Sequence, residues 1–592
     1  MPAAKYLKLA RYARKYWPLL TWMLVSVVLL TYLRVIVPVL TGEAVTAIVA
    51  QSPIRRVAGI AVEIVAISAF SSVFQFSLGY GGQALGQRMI YDMRNGLFRA
   101  IQGQSFSFHD SNETGQLMAR ATADVEAVRR FLTFGSAQLL GNVFIMGGVV
   151  LSLLSLNFRL AAIVGLALPL LLYLSWRFSR SQTPFWRRAR EDYGALNSAL
   201  QQNITAMRVV RAFGAEDRET TKFRERSGGY RDDLIGAARP RALYIPLFVL
   251  VINLDLGLLY AVGGGEVILG SLQIGGLVAA ANLLTLLAGP VRFMGQLILL
   301  LQNGMAGFER VLQTTEAAVE VKDSPAAVDL DPSRLKGEIR YEGVSFGYTR
   351  DRLILKDVDL VIGPGESVVL LGGSGSGKTT FANLLPRFYD ATAGRVMIDG
   401  RDVKDIRLKS LRGSIGIVGQ DAFLFSASVR DNIAYGRPEA TLEEVVAAAK
   451  LASADEFIGR LGAGYDTLVG ERGVTLSGGQ KQRMTIARTL LVDPRILILD
   501  DSFSSVDVGT ERAIQAALKA VIAGRTTIII TQRLSTVRLA DRIVVFEGGR
   551  VAEQGTHEEL AGRDGPYARL YRSVLGPQEE TAGGAPPAAG GP

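Results

Sequence analysis

Six apolar stretches, each long enough to cross a bilayer, occupy roughly the first 310 residues. They fall at 18–45, 57–80, 135–156, 160–178, 243–269 and 276–301. A span needs about 20 largely apolar residues, because the hydrocarbon core is about 30 Å thick. Inside it every backbone N–H and C=O must be paired within the chain, and apolar runs of this length, about twice that of a spanning strand, read as helices. The connections alternate in length. Those at 51–56, 157–159 and 270–274 are short, while 81–134 and 179–242 are long and charged. Within the long ones, 87–104 and 193–213 carry apolar residues at helical spacing. The spans are therefore expected to continue as helices beyond the bilayer and to reverse at short transverse segments near 106–115 and 214–223.

The net charge is +10, from 65 Lys and Arg against 55 Asp and Glu. That balance could indicate nucleic acid, but the basic residues cluster beside the apolar spans, so no nucleic-acid role is assigned. Arg187, Arg188, Arg190, Arg208, Arg211 and Arg218 all lie in the second long connection. The positive-inside rule then places the N-terminus, both long connections and the C-terminal region in the cytoplasm. Arg55 and Arg56 run against the rule and are outnumbered. The basic start (Lys5, Lys8, Arg11, Arg14, Lys15) resembles that of a signal peptide, but its apolar run is long and lacks a clean small-residue cleavage site. It reads as a first transmembrane helix. The absence of cysteine excludes disulfides and thiolate metal sites.

The composition divides the chain into a transmembrane domain at 1–320, a Pro- and Asp-containing linker at 321–336, an α/β domain at 337–576 and a Gly/Pro/Ala tail at 577–592 expected to be disordered. The expected fold is a six-helix all-α transmembrane domain followed by an α/β P-loop domain. Gly372-Gly373-Ser374-Gly375-Ser376-Gly377-Lys378-Thr379, continued by Thr380, matches the P-loop pattern in full between an apolar strand and a helix. Glycines let the backbone wrap phosphate oxygens, Lys378 reaches the β- and γ-phosphates, and Thr379 can ligate Mg²⁺. Asp500 ends the apolar run from Ile496 and takes the acidic Mg²⁺ position of P-loop enzymes. Ser477-Gly478-Gly479-Gln480 is spaced as a helix capping box, which creates a second anion-binding helix start. One Mg²⁺ strand with two phosphate cradles suggests that the second cradle serves a nucleotide held by another subunit.

Together these motifs resemble the ATP-binding cassette of ABC transporters. With the six spans before it, residues 15–575 are similar to exporter half-transporters of the type IV fold. The resemblance implies ATP and Mg²⁺ as cofactors and makes Gln420 the residue linking Mg²⁺ to the membrane domain. It makes Tyr348 the residue stacking on adenine; otherwise Tyr348 is strand-edge packing. It also places Asp507 in the loop crossing the dimer interface, and coupling helices within 106–124 and 209–213. Two positions depart from the family. Asp501 stands where the water-polarising Glu is expected, and Gln532 stands where a His is expected. Removing one methylene withdraws the carboxylate by about 1.5 Å. Losing a positioned base costs on the order of 10²–10⁴ in rate. Gln532 can donate to phosphate but carries no positive charge.

The chain thus resembles the degenerate-site subunit of heterodimeric exporters of the antigen-peptide-transporter and TmrAB type. The expected partner is a homologous half-transporter with a complete catalytic site, completed in turn by Ser477, Gly478, Gly479 and Gln480 of this chain. Membrane lipids and a transported substrate are the other partners, and a multi-pass place in a bacterial-type inner membrane follows. The alternatives are a homodimeric lipid or drug flippase with slow ATPase, and an ATP-gated channel or regulator. Among polar residues inside spans, Asp255 and Arg292 are the candidates for a substrate path; the competing reading is pairing within the bundle. Peptide, drug and lipid substrates are not separable from the sequence.

Overall fold

The computed structural model describes residues 8–572, apart from 10, 350, 471–472, 474–475, 501–518, 520 and 532. The chain divides into two compact units: Met1–Gln102 with Glu113–Ala317, and Gly103–Asn112 with Ala318–Pro592. The tail at 577–592 lies outside the described residues.

The first unit is helical. Its elements are α1 (Trp17–Val49), α2 (Ile54–Gly103), α4 (Thr114–Leu156), α5 (Phe158–Thr205), α6 (Met207–Ala212), α7 (Glu216–Ile268) and α8 (Ile274–Thr315), with α3 (Phe106–Ser111) assigned to the second unit. Six of these helices are long and apolar enough to cross a membrane. Helix α2 has 50 residues, or about 75 Å at 1.5 Å per residue. That exceeds twice the bilayer core, so the spans do continue beyond it, as the helical spacing of the long connections requires.

The second reversal differs from the sequence expectation. It is α6, Met207–Ala212, and the stretch read as the turn (214–223) mostly opens α7. Gly214 ends the short helix instead of starting one. With φ +56°, it donates its N–H to the Arg211 carbonyl at 3.2 Å, and the Ala215 N–H reaches the Val210 carbonyl at 3.0 Å. This pair of bonds is a Schellman cap, which a glycine breaker serves at a helix end.

Lipid tails provide no hydrophobic drive between helices, so close packing of small residues does the work. A Cβ on Gly275 of α8 would lie 2.0 Å from the Gly42 carbonyl oxygen of α1, and the Gly275 N–H donates to Thr46 Oγ1 at 3.0 Å. Helix α4 contains two π-helical turns, Arg120–Asp124 and Phe131–Gly135. The first turns Asp124 onto α8, where Arg310 donates to both its oxygens at 2.8 and 2.5 Å. At one end of the bundle Glu266, buried on α7, accepts from Asn157 (2.5 Å) and Arg159 (2.8 Å) at the start of α5. Arg34 donates to Gln75 at 2.8 Å, a pairing within the bundle.

The second unit holds two sheets. The smaller is antiparallel, in the order β2 (Leu355–Ile362), β1 (Ile339–Phe346), β4 (Ala393–Ile398), β5 (Arg401–Asp402). The larger runs β10 (Arg550–Gly555), β9 (Arg542–Glu547), β3 (Ser367–Leu371), β8 (Thr526–Ile530), β7 (Ile496–Asp500), β6 (Ile415–Val418). All its neighbours are parallel except β10 and β9. Strand β3 is buried at every residue, consistent with the near-continuous apolar runs of parallel sheets covered on both faces. Between the sheets Tyr341 stacks on Phe381 at 3.9 Å and donates to its carbonyl at 2.9 Å. The stretch read as a linker lies along 405–410. Val328 bonds to Asp405 and Arg407, and the Leu330 N–H donates to Ser410 Oγ at 2.8 Å.

Replacing Gly275 with Val drives a branched side chain into the α1 backbone. The expected result is a loss of about 3 kcal/mol of stability, read as a lowered thermal midpoint of the full chain in detergent. Gly59→Val, where a Cβ meets open space, is the control and leaves the midpoint in place.

Candidate nucleotide-binding site

The site forms where strands of the larger sheet end. In α/β sheets ligands bind beyond the carboxyl ends of the strands. Leu370 of β3 pairs with Ile530 of β8, which pairs with Asp500 of β7. Asp500 therefore stands level with the end of β3, two strand spacings or about 10 Å across. Val418 of β6 pairs with Leu499, so the exposed Gln420 follows just beyond the level of Asp500.

Residues 372–377 leave β3 and turn into α9 (Lys378–Leu384). Gly372 has φ +145°, and a Cβ there would meet the Phe546 carbonyl at 2.3 Å. Gly377 has φ +104° and abuts Leu355. The loop curls around the Lys378 ammonium, which donates to the carbonyls of Gly372 (2.8 Å) and Gly373 (2.9 Å) and to Ser376 Oγ (3.2 Å). A backbone concavity with a lysine at its centre, and no room for side chains on its wall, fits a phosphate group. Gly373, Ser374 and Gly375 lie on its exposed rim, and Ser376 is buried.

Tyr348 is half exposed and joined to this loop's helix. Its hydroxyl lies 3.1 Å from Thr380 Oγ1, and its ring meets Tyr389 edge-on at 5.3 Å. An exposed ring face beside a phosphate cradle is available to stack on a base. Tyr389 in turn donates to Asp110 Oδ2 at 2.6 Å, and Phe106 packs on Phe388 at 4.2 Å. Burial, then the bond to Asp110, pushes the Tyr389 hydroxyl well above its ordinary value, which keeps it a donor. The transverse helix α3 is thereby linked through two tyrosines to Thr380. Sequence reading did not find Asp110 or Tyr389. Their partnership spans 279 residues and carries no local signal.

The capping box expected at Ser477 is formed as its spacing requires. Ser477 caps α10 (Gly478–Val492): its Oγ accepts from the Gln480 N–H at 3.3 Å, and Gln480 Oε1 accepts from the Ser477 N–H at 2.9 Å. Ser477 and Gly478 are exposed and Gly479 is buried. Arg488, also missed in the sequence, anchors this helix. It donates to the Asn432 carbonyl (2.7 Å), Asn432 Oδ1 (3.0 Å) and the Phe423 carbonyl (3.1 Å), and lies over Phe425 and Tyr435. Burial pulls its guanidinium below the ordinary arginine value. The segment after Gln420 is thus fastened to the helix that Ser477 caps.

Asp501, Asp507 and Gln532 lie outside the described residues, as does the side chain of Arg292. Asp255 is 7% exposed, with Oδ2 lacking any hydrogen-bond partner among the described residues. Its neighbours along α7, Ile252 and Leu256, join apolar clusters with α5.

Replacing Arg488 with Ala removes the donors to the Asn432 and Phe423 carbonyls, while Asn432 Oδ1 keeps the Phe425 N–H at 2.9 Å. The replacement is expected to cost about 3 kcal/mol, seen as a lowered unfolding midpoint of the nucleotide-binding unit within the intact chain.

Residues 20–291 match the ABC transporter transmembrane region and residues 355–504 match the ABC transporter domain. The uncharacterized ABC transporter ATP-binding protein YknU of Bacillus subtilis is 37% identical over 94% of this chain and 95% of its own length. An ATP-dependent lipid A-core flippase of Syntrophus aciditrophicus is 38% identical over 82% of this chain and 81% of its own. The structure of a bacterial Atm1-family ABC exporter with ATP bound aligns with a TM-score of 0.78 at 32% identity, over 93% of this chain and 97% of that one. With six apolar helices, a glycine cradle around Lys378 and a capped second cradle at Ser477, this chain belongs to the ABC transporters, as a multi-pass exporter half-transporter with a membrane domain and an ATP-binding domain.

Proposed function

We propose that the chain is one half of a heterodimeric ATP-driven exporter that moves peptides, drugs or lipids out of the cytoplasm. Its own P-loop holds nucleotide, and most hydrolysis occurs at the partner's P-loop. The observation that carries this is a mismatch within one unit. The cradle capped by Ser477 is complete and its first residues are exposed, while Asp501 and Gln532 replace the Glu and His of a competent site. A second chain is also supported by α6, where Val209 and Phe213 are 56% and 81% exposed. They lie at the reversal between the long helices α5 and α7, where neighbouring exposed apolar side chains offer a surface to a partner.

In this reading the 372–379 backbone and Lys378 bind the phosphates, Tyr348 takes the base, and Thr379, Gln420 and Asp500 hold Mg²⁺. The metal supplies charge neutralisation on the β- and γ-phosphates. Ser477 to Gln480 present a helix start to the partner's nucleotide, and Asp507 lies at the dimer interface. The N-terminus, α3, α6 and the nucleotide-binding unit face the cytoplasm of a bacterial cell, in line with the basic flanks. Closure on ATP moves α3 through the Asp110–Tyr389 bond and switches the spans from inward-open to outward-open. Asp255, buried on α7, and Arg292 are the positions along the span proposed to respond to substrate.

A homodimeric lipid flippase is the second reading, favoured by the relative named as a lipid A-core flippase. The reconstituted pair separates the two. Replacing the partner's catalytic Glu with Gln is expected to abolish ATP turnover, on the order of a 10²–10⁴-fold loss. Asp501→Ala here should leave turnover within about twofold, since the site that loses its carboxylate carries little of the hydrolysis in this reading. Equal losses from both changes contradict the asymmetric reading.

A further inference from the structure

The first unit contains a cavity of about 850 Å³ bounded by α4, α5, α7 and α8, within the range of small-molecule sites. Its charge is one-sided. Arg130, Arg190 and Arg241 line it, and among the described residues no Asp or Glu does. None of the three makes a salt bridge among the described residues, although their neighbours Arg129 and Arg187 pair with Glu126 and Glu191. Guanidiniums aimed at a shared hollow without carboxylates are suited to phosphate or carboxylate, which they hold through paired charged hydrogen bonds.

The opposite end is aromatic. Phe178, Phe248 and Phe293 also line the cavity, and all three belong to the apolar spans. Arg190 follows Phe178 by twelve residues on one helix, or about 18 Å. Arg241 precedes Phe248 by seven on another, about 10 Å. The arginines lie towards the end of the bundle that carries α6, and the phenylalanines lie towards the membrane interior. The polarity of the cavity is that of an amphiphile lying with its head at the basic end.

We propose that this cavity binds an anionic amphiphile, an apolar body carrying a phosphate or carboxylate head. That the bound molecule is cargo rests on the exporter reading above; the binding does not. Trp186 lines the same cavity and serves as reporter in the full chain once Trp17, Trp22 and Trp176 are replaced with Phe. The probes, in an uncharged maltoside, are dodecyl phosphate, dodecyltrimethylammonium and inorganic phosphate. Dodecyl phosphate is expected to change Trp186 emission saturably. Inorganic phosphate should bind at least about tenfold more weakly for want of the apolar body, and the cation should give no saturable change. Arg190→Gln and Arg241→Gln should each weaken dodecyl phosphate about tenfold, while Arg187→Gln, outside the cavity, should not. The assignment is overturned by equal binding of the cationic probe, by equal binding of free phosphate, or by Arg190→Gln and Arg241→Gln changes within twofold. Saturable, arginine-dependent binding without any effect on ATP turnover or transport would uphold the cavity and count against the bound molecule being cargo.

Discussion

Everything this chain does with nucleotide depends on a backbone path between β3 and α9 that side chains would block. Gly372 turns with φ +145° against the Phe546 carbonyl, and the loop closes on the Lys378 ammonium. The path is held because β3 lies between β9 and β8 with both faces buried. From that fixed point the site extends in two directions. One runs through Thr380, Tyr348 and Tyr389 to Asp110 on α3. The other runs across β8 to Asp500 and on to the stretch that Arg488 ties to the Ser477-capped helix. The cradle is thus joined to α3 through hydrogen bonds and one edge-on ring contact, and to Asp500 across the sheet.

The membrane half obeys a different constraint. Within a bilayer the backbone must pair with itself, so long continuous apolar runs give the spans as helices, and helical spacing gives their extensions. Where the helices touch is decided by small residues such as Gly42 and Gly275, whose role becomes visible only when two helices are brought together.

The elements legible in the sequence were those with a local cause. The spans, the P-loop, the strand ending at Asp500 and the capping box of Ser477 and Gln480 each follow from neighbouring residues. The second reversal was displaced because a glycine breaker marks a helix boundary without saying which side is helical, and Gly214 closes α6. Asp110, Tyr389, Asn432 and Arg488 stayed hidden because their partners are distant in sequence. Asp255 was visible as a costly residue, but not its setting, since its burial comes from the helices packed around α7. The cavity arginines were visible only as basic flanks; that three of them share one hollow is a property of four helices together.

The asymmetric account turns on whether this protomer, carrying Asp501 and Gln532, can retain ATP without cleaving it. The direct measurement is the fate of radiolabelled ATP in one round with the purified chain alone. The account predicts nucleotide that stays bound and intact over many minutes. Rapid release of phosphate by a self-associated form of this chain would contradict it.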